Sequence, residues 1–277
     1  MHILAKKRKL FIKLLIIALV LILFVLSPPF AYIRSLVVMG VYSAMHEKES
    51  LMQEEDINLQ IPGGLTTAQT DWYPFVMTFV ANEAYARAVG EPDAKLTILY
   101  NFPAFSLLHG SSRLYDTDSP YYSSFYGAYL VRDKTTQQLA QGIVDPKRVA
   151  RIAEFDFFTL VLRDFGLERE DEVFSFEITE QESDVSYLGM DGWTRLSADI
   201  LVNGCAHHKR KGVTSYLQYG APPTLRATEE FAPIQIHGIV YARYFEQWDV
   251  GVYFYVMGEE EVAKACDQQI LSQSTLY

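Results

Sequence analysis

The chain has 277 residues, 21% of them charged and 49% apolar, a balance that fits a packed protein and excludes a disordered one. Its net charge of −10 is unevenly placed: residues 1–46 hold six basic residues and no Asp or Glu, leaving 18 basic against 34 acidic residues in 47–277. So acidic a body repels phosphate backbones, which excludes nucleic acid as a partner.

Residues 1–9 form a basic leader ending in Lys6, Lys7, Arg8 and Lys9. Leu14–Leu26 is then a run of 13 apolar residues, and residues 10–32 are interrupted only by Lys13, Ser27 and the pair Pro28–Pro29. Roughly 20 helical residues cross a ~30 Å hydrocarbon core, and a lysine near one end can reach the interface. The expectation is a single transmembrane signal-anchor helix over residues 10–32, with the leader held in the cytoplasm by its positive charge. The rest of the chain is then extracytoplasmic, at the cell membrane. A cleaved signal peptide has the same basic start and apolar middle, but Val25-Leu26-Ser27 followed by two prolines is a poor cleavage site. Residues 33–60 keep apolar side chains at Leu36, Val37, Met39, Val41 and Met45 before charges take over, which reads as an amphipathic stalk.

The globular domain is placed at residues 61–277, opening with the turn Pro62-Gly63-Gly64. Phe75, Val76, Phe79 and Val80 suggest a helix over Asp71–Val89, ended by Gly90 and Pro92. Strands are expected at Leu96–Phe102, Phe125–Arg132, Phe157–Arg163, Val173–Thr179, Arg195–Asn203 and Val213–Tyr219. A short helix is expected over Asp145–Ala153. Ile234–Phe245 and Asp249–Met257 alternate with period two and read as half-buried antiparallel strands joined by a turn near Gln247–Trp248. A closing helix has Glu259, Glu260 and Glu261 in its first turn and Val262, Cys266 and Ile270 on its buried stripe. Few long helices separate the strands. The expected class is therefore α+β, a transmembrane helix followed by a mainly antiparallel sheet with helices packed on one face.

Candidate chemistry is sparse. Cys205, His207 and His208 are good transition-metal ligands, but three basic residues follow them and a structural zinc site needs four ligands. A solvated loop is the simpler reading of that cluster. His109-Gly110-Ser111-Ser112 lacks the G-x-S-x-G pattern of a nucleophile elbow. Asp116-Thr117-Asp118-Ser119 has alternating oxygen ligands, but Tyr121 and Gly127 stand where a calcium loop needs Gly and Glu, so a self-bonded turn before Pro120 is favoured. Tyr121, Tyr122 and Tyr126 head a tyrosine-dense stretch that could bind a ligand or a protein, or simply build a half-buried strand. Cys205 and Cys266 read more readily as separate buried thiols than as a disulfide.

No catalytic residue is assigned and no cofactor is expected. The leading functional reading is a membrane-tethered extracytoplasmic module of the cell envelope, attached through residues 10–32, that binds an envelope protein or a small-molecule ligand. The alternative is an envelope hydrolase whose acidic and histidine residues are dispersed along the chain.

Overall fold

The structure is a computed structural model and describes residues 2–25, 27–106, 111–139, 141, 143–163, 167–204, 206 and 231–277. Two helices open it, α1 (His2–Val25) and α2 (Pro28–Glu47). The single helix expected over residues 10–32 is thus broken at Ser27, where two prolines in the first turn suit a new helix start. Phe11 and every large apolar side chain from Leu14 to Val25 are exposed on α1. Among the described residues no helix is long and apolar enough to cross a membrane. Leu14–Val25, the lysine-free part of α1, rises about 18 Å at ~1.5 Å per residue, against a core of ~30 Å.

The chain continues through α3 (Leu51–Glu54), β1 (Leu59–Gln60), β2 (Met77–Val80), α4 (Asn82–Val89), β3 (Lys95–Asn101), β4 (Phe105–Ser106), β5 (Ser111–Ser112) and β6 (Phe125–Arg132). Next come α5 (Thr136–Leu139), α6 (Pro146–Asp156), β7 (Phe174–Tyr187), β8 (Met190–Asn203), β9 (Pro233–Phe245), β10 (Val250–Gly258), α7 (Glu260–Gln269) and β11 (Thr275–Leu276). Seven strands form one sheet in the order β2-β3-β6-β10-β9-β8-β7, with every neighbouring pair antiparallel. The mixed α+β class with an antiparallel sheet is what the sequence implied.

Helices cover both faces of this sheet, not one. On the first face, Ile98, Tyr129, Val240 and Tyr255 pack with Met39 of α2, Tyr85 of α4 and Ile152 of α6. On the second, Leu99, Leu130, Ile239 and Phe254 pack with Leu51 of α3 and with Ala263 and Cys266 of α7. The reason lies in β10, which is buried along its whole length. Its two alternating sets, Val252/Phe254/Val256 and Tyr253/Tyr255/Met257, are both apolar in bulk, so both faces need a cover. The tyrosine tips find internal acceptors, as where Tyr255 Oη donates to Leu99 O at 3.0 Å.

Other expectations are corrected. The helix proposed over Asp71–Val89 is only α4, because Met77–Val80 pairs with β3 as an edge strand. Gly90 does end α4, in the left-handed conformation at φ 71°. The strand proposed over Phe157–Arg163 is a π-helical turn, Phe157–Leu162, running on from α6. Val213–Tyr219 lies outside the described residues. The packed body also begins before residue 61: Met39, Leu51, Met52, Ile57 and Leu59 are buried, so residues 33–60 are part of the domain's packing and not a free stalk.

Candidate functional site

A half-open cleft of about 100 Å³ lies on the second face, between α7 and the segments that carry Trp72 and Tyr121. α7 is placed by its cap, in which the Glu259 carboxylate accepts from Val262 N at 3.3 Å, and by the bond from Tyr241 Oη to Asp267 Oδ2 at 3.1 Å. Its side toward the sheet presents Val262 and Cys266, and Ile270 follows directly. Gln69 and Glu261 stand at the polar side of the lining, and a Gln69 Nε2 bond to Gln269 Oε1 ties the two sides together.

The opposite wall is aromatic and fixed. Trp72 meets Tyr121 edge-on at 5.4 Å and Tyr126 edge-on at 4.8 Å between ring centroids. Tyr121 Oη donates to Asp71 Oδ2 at 3.0 Å, Arg113 donates to Asp71 Oδ1 at 2.7 Å, and the Arg113 guanidinium lies 5.0 Å from the Tyr121 ring centroid. Partial burial works to raise the Asp71 carboxyl, but the bonds from Arg113 and Tyr121 outweigh it and hold it below its ordinary value. Burial, then the bond to this carboxylate, push the Tyr121 hydroxyl up to about 12, so the ring stays neutral. The Arg113–Asp71–Tyr121 chain therefore serves to lock the ring that forms the wall.

The cleft suits recognition better than chemistry. Cys266 is a free thiol, 2% exposed, and burial pushes it well above its ordinary value, so it is neutral and inert as a nucleophile. Cofactor and ligand pockets run to roughly 300–1,000 Å³, so this volume has room for one apolar side chain or a small fragment and not for a nucleotide or flavin.

Of the three tyrosines singled out from the sequence, Tyr121 lines the cleft and Tyr126 supports it from below, fully buried with Oη donating to Pro62 O at 2.7 Å. Tyr122 points elsewhere: its hydroxyl sits against Gly204, where an added Cβ would be only 2.3 Å away. Cys205, His207, His208 and His109 lie outside the described residues, and among the described residues no group of three metal-ligating side chains occurs. Ser112 is buried, donating to Pro103 O at 2.5 Å and accepting from Leu114 N at 3.0 Å, so its hydroxyl is spent on the backbone. Asp116 accepts from Asp118 N at 3.1 Å, the self-bonded turn expected before Pro120. His237 lies 3.6 Å from Asp199 across the β8–β9 pair.

The sequence offers no signal for Trp72, and it marks Ile270 only as part of a buried helical stripe. The three tryptophans are too far apart in sequence to form a motif, and their rings are brought to this face only by the topology. Cys266 is buried as its place on that stripe implies, but nothing local in the sequence puts it at the floor of a cleft. No family model, no curated protein and no solved structure matches this chain.

Proposed function

We propose that this protein is a single-pass, membrane-anchored binding module: residues 10–32 hold it in the cell membrane with the leader cytoplasmic, and the acidic domain presents the Trp72–Tyr121 cleft outside. The observation that carries the anchor is the exposure of α1, whose apolar side chains from Leu14 to Val25 stand in the open with no domain packed over them. Fully burying one such side chain is worth roughly 1.5–3 kcal/mol, so the eleven large ones left in water are a strong drive toward lipid. The basic leader supports the orientation, because positive charge stays on the cytoplasmic side. The break at Ser27 leaves Leu14–Val25 short of a full crossing, and residues 10–13 at the other end of α1 add length, with Lys13 reaching the interface.

Binding is favoured over hydrolysis because the cleft joins an apolar floor to a rigid aromatic wall and holds an inert thiol. Its size points to one apolar side chain of an envelope protein as the group received. Two measurements test this reading. An alkaline phosphatase fused after Tyr277 is expected to be active, since that enzyme works only outside the cytoplasm; a fusion active only when fused ahead of residue 10 reverses the orientation. Displayed peptides selected on the full chain in lipid nanodiscs are expected to share one fixed apolar residue and to lose binding at least ~10-fold on a chain carrying Ala265→Phe, which fills the cleft. Peptides indifferent to Ala265→Phe would remove the cleft from the function.

A further inference from the structure

α2 is apolar on its outward side as well as on its buried one. A helix on the surface of a water-soluble domain turns its apolar side inward and its polar side to water. The buried side of α2 obeys this, with Met39 in the core and Tyr32, Leu36 and Tyr42 packed against it, and it also carries the buried serines Ser35 and Ser43. Both hydroxyls are bonded into the domain: Ser35 Oγ meets Tyr73 Oη at 2.8 Å, and Ser43 Oγ accepts from Thr78 N at 2.8 Å. The outward side carries Ile33, Val37, Val41 and Met45, which are 47%, 61%, 57% and 63% exposed. Four-residue spacing makes these a continuous ridge, about 18 Å long at ~1.5 Å per residue.

The junction before α2 is built with few hungry donors. Ser27 N and Ser27 Oγ both donate to Phe24 O, at 2.9 and 2.6 Å. Pro28 and Pro29 have no N–H to satisfy, and Phe30 N donates to Ser27 Oγ at 3.4 Å. A helix start ordinarily leaves several N–H groups for water, which lipid cannot supply. The segment up to His46 also holds no acidic residue.

We propose that the outer ridge of α2 lies along the membrane surface, sunk into the boundary between headgroups and acyl chains, so that the domain rests on the bilayer instead of standing off from it. This inference rests on the anchor reading above. Lipid is favoured over a second copy of the chain by continuity. Whatever covers Phe24 and Val25 on α1 must reach across the donor-poor junction to Ile33, and lipid is already there.

The test uses the full chain in phosphatidylcholine vesicles, with Cys205→Ser and one environment-sensitive fluorophore at a time. The labelled positions are Ile22→Cys on α1, Val37→Cys or Val41→Cys on the ridge, and Glu180→Cys on β7 as an aqueous control. Nitroxides attached to lipid chains should quench the Val37 and Val41 labels several-fold more than the Glu180 label, and iodide in the buffer should do the reverse. Ridge labels quenched by iodide as readily as Glu180, while the Ile22 label stays protected, would overturn this inference and leave the anchor standing. An Ile22 label open to iodide would defeat the anchor itself. Efficient disulfide formation between Val41→Cys chains without lipid quenching would give the ridge to a second copy and also overturn the proposal.

Discussion

Asp156, at the end of α6, is 1% exposed, and only one of its two carboxylate oxygens has a partner, Tyr129 Oη at 2.7 Å. Burial raises its carboxyl to about 7, against the lowering effect of the tyrosine bonds. The unfolded chain loses this proton near the ordinary Asp value of ~3.9, so between that pH and about 7 the folded state holds a proton that the unfolded state lacks. The stabilisation is fully present below ~3.9 and is lost as pH rises through about 7, for a total on the order of 4 kcal/mol. Asp156→Asn removes that slope. In urea titrations the variant should match the native chain near pH ~4 to within about 1 kcal/mol and exceed it increasingly as pH rises to ~8. Equal stabilities at both values would show that the carboxyl ionises freely. Arg148 behaves in the opposite way, since it is buried at 6% exposure with Asp133 at 2.6 Å and Glu91 at 3.4 Å. Tyr85 Oη also donates to Asp133, at 2.8 Å. Asp133→Ala strands a buried guanidinium and should cost about 3–5 kcal/mol, read as a lowered urea midpoint.

At the scale of elements, the central strands are held by close backbone approach as well as by side chains. Gly127 of β6 pairs with Tyr100 of β3, and a Cβ added there would fall 1.8 Å from Leu99 O. Gly127→Ala must therefore push β3 and β6 apart and should cost roughly 1–3 kcal/mol or more, with a lowered thermal midpoint as the check. If the midpoint holds, the sheet is looser here than its register implies. These central strands were also the most legible part of the sequence. β6, β9 and β10 fall within about a residue of their expected limits, because β6 is a compact aromatic-rich run and long alternation in β9 and β10 has no helical reading. Short apolar runs do have one. Phe157–Leu162 carries six residues without clear period, and only its covalent continuation from a well-capped α6 makes it helical. Met77–Val80 fails for the opposite reason, since Phe75, Val76, Phe79 and Val80 fit a helix locally and the pairing with β3 overrides that fit. The cleft was half legible: tyrosine density marked Tyr121 and Tyr126, whereas Trp72 and Ile270 reach it through contacts distant in sequence.

The whole molecule is a sheet with two apolar faces, each given its own cover, and α2 belongs to one of those covers while carrying a bare apolar ridge on its outer side. That double role separates two truncations. Removing residues 1–26 takes away α1, none of whose described side chains lies in either core. The shortened chain should keep the native urea midpoint, yet it should still associate or need detergent, because the ridge from Ile33 to Met45 remains bare. Removing residues 1–49 also takes α2 off the first face. That uncovers the pocket of Met39, which is 0% exposed, and unmakes the Ser35–Tyr73 and Thr78–Ser43 bonds. Losing a buried methionine costs roughly 2–5 kcal/mol and each buried hydrogen bond about 1, so the second truncation should lose on the order of 5 kcal/mol or fail to fold. Denaturation monitored by the fluorescence of Trp72, Trp193 and Trp248, all beyond both cuts, follows the two chains in the same signal. Equal midpoints for the two would mean that α2 is an outrigger of the anchor and no part of the domain's core, and the bilayer would then be the only surface it needs.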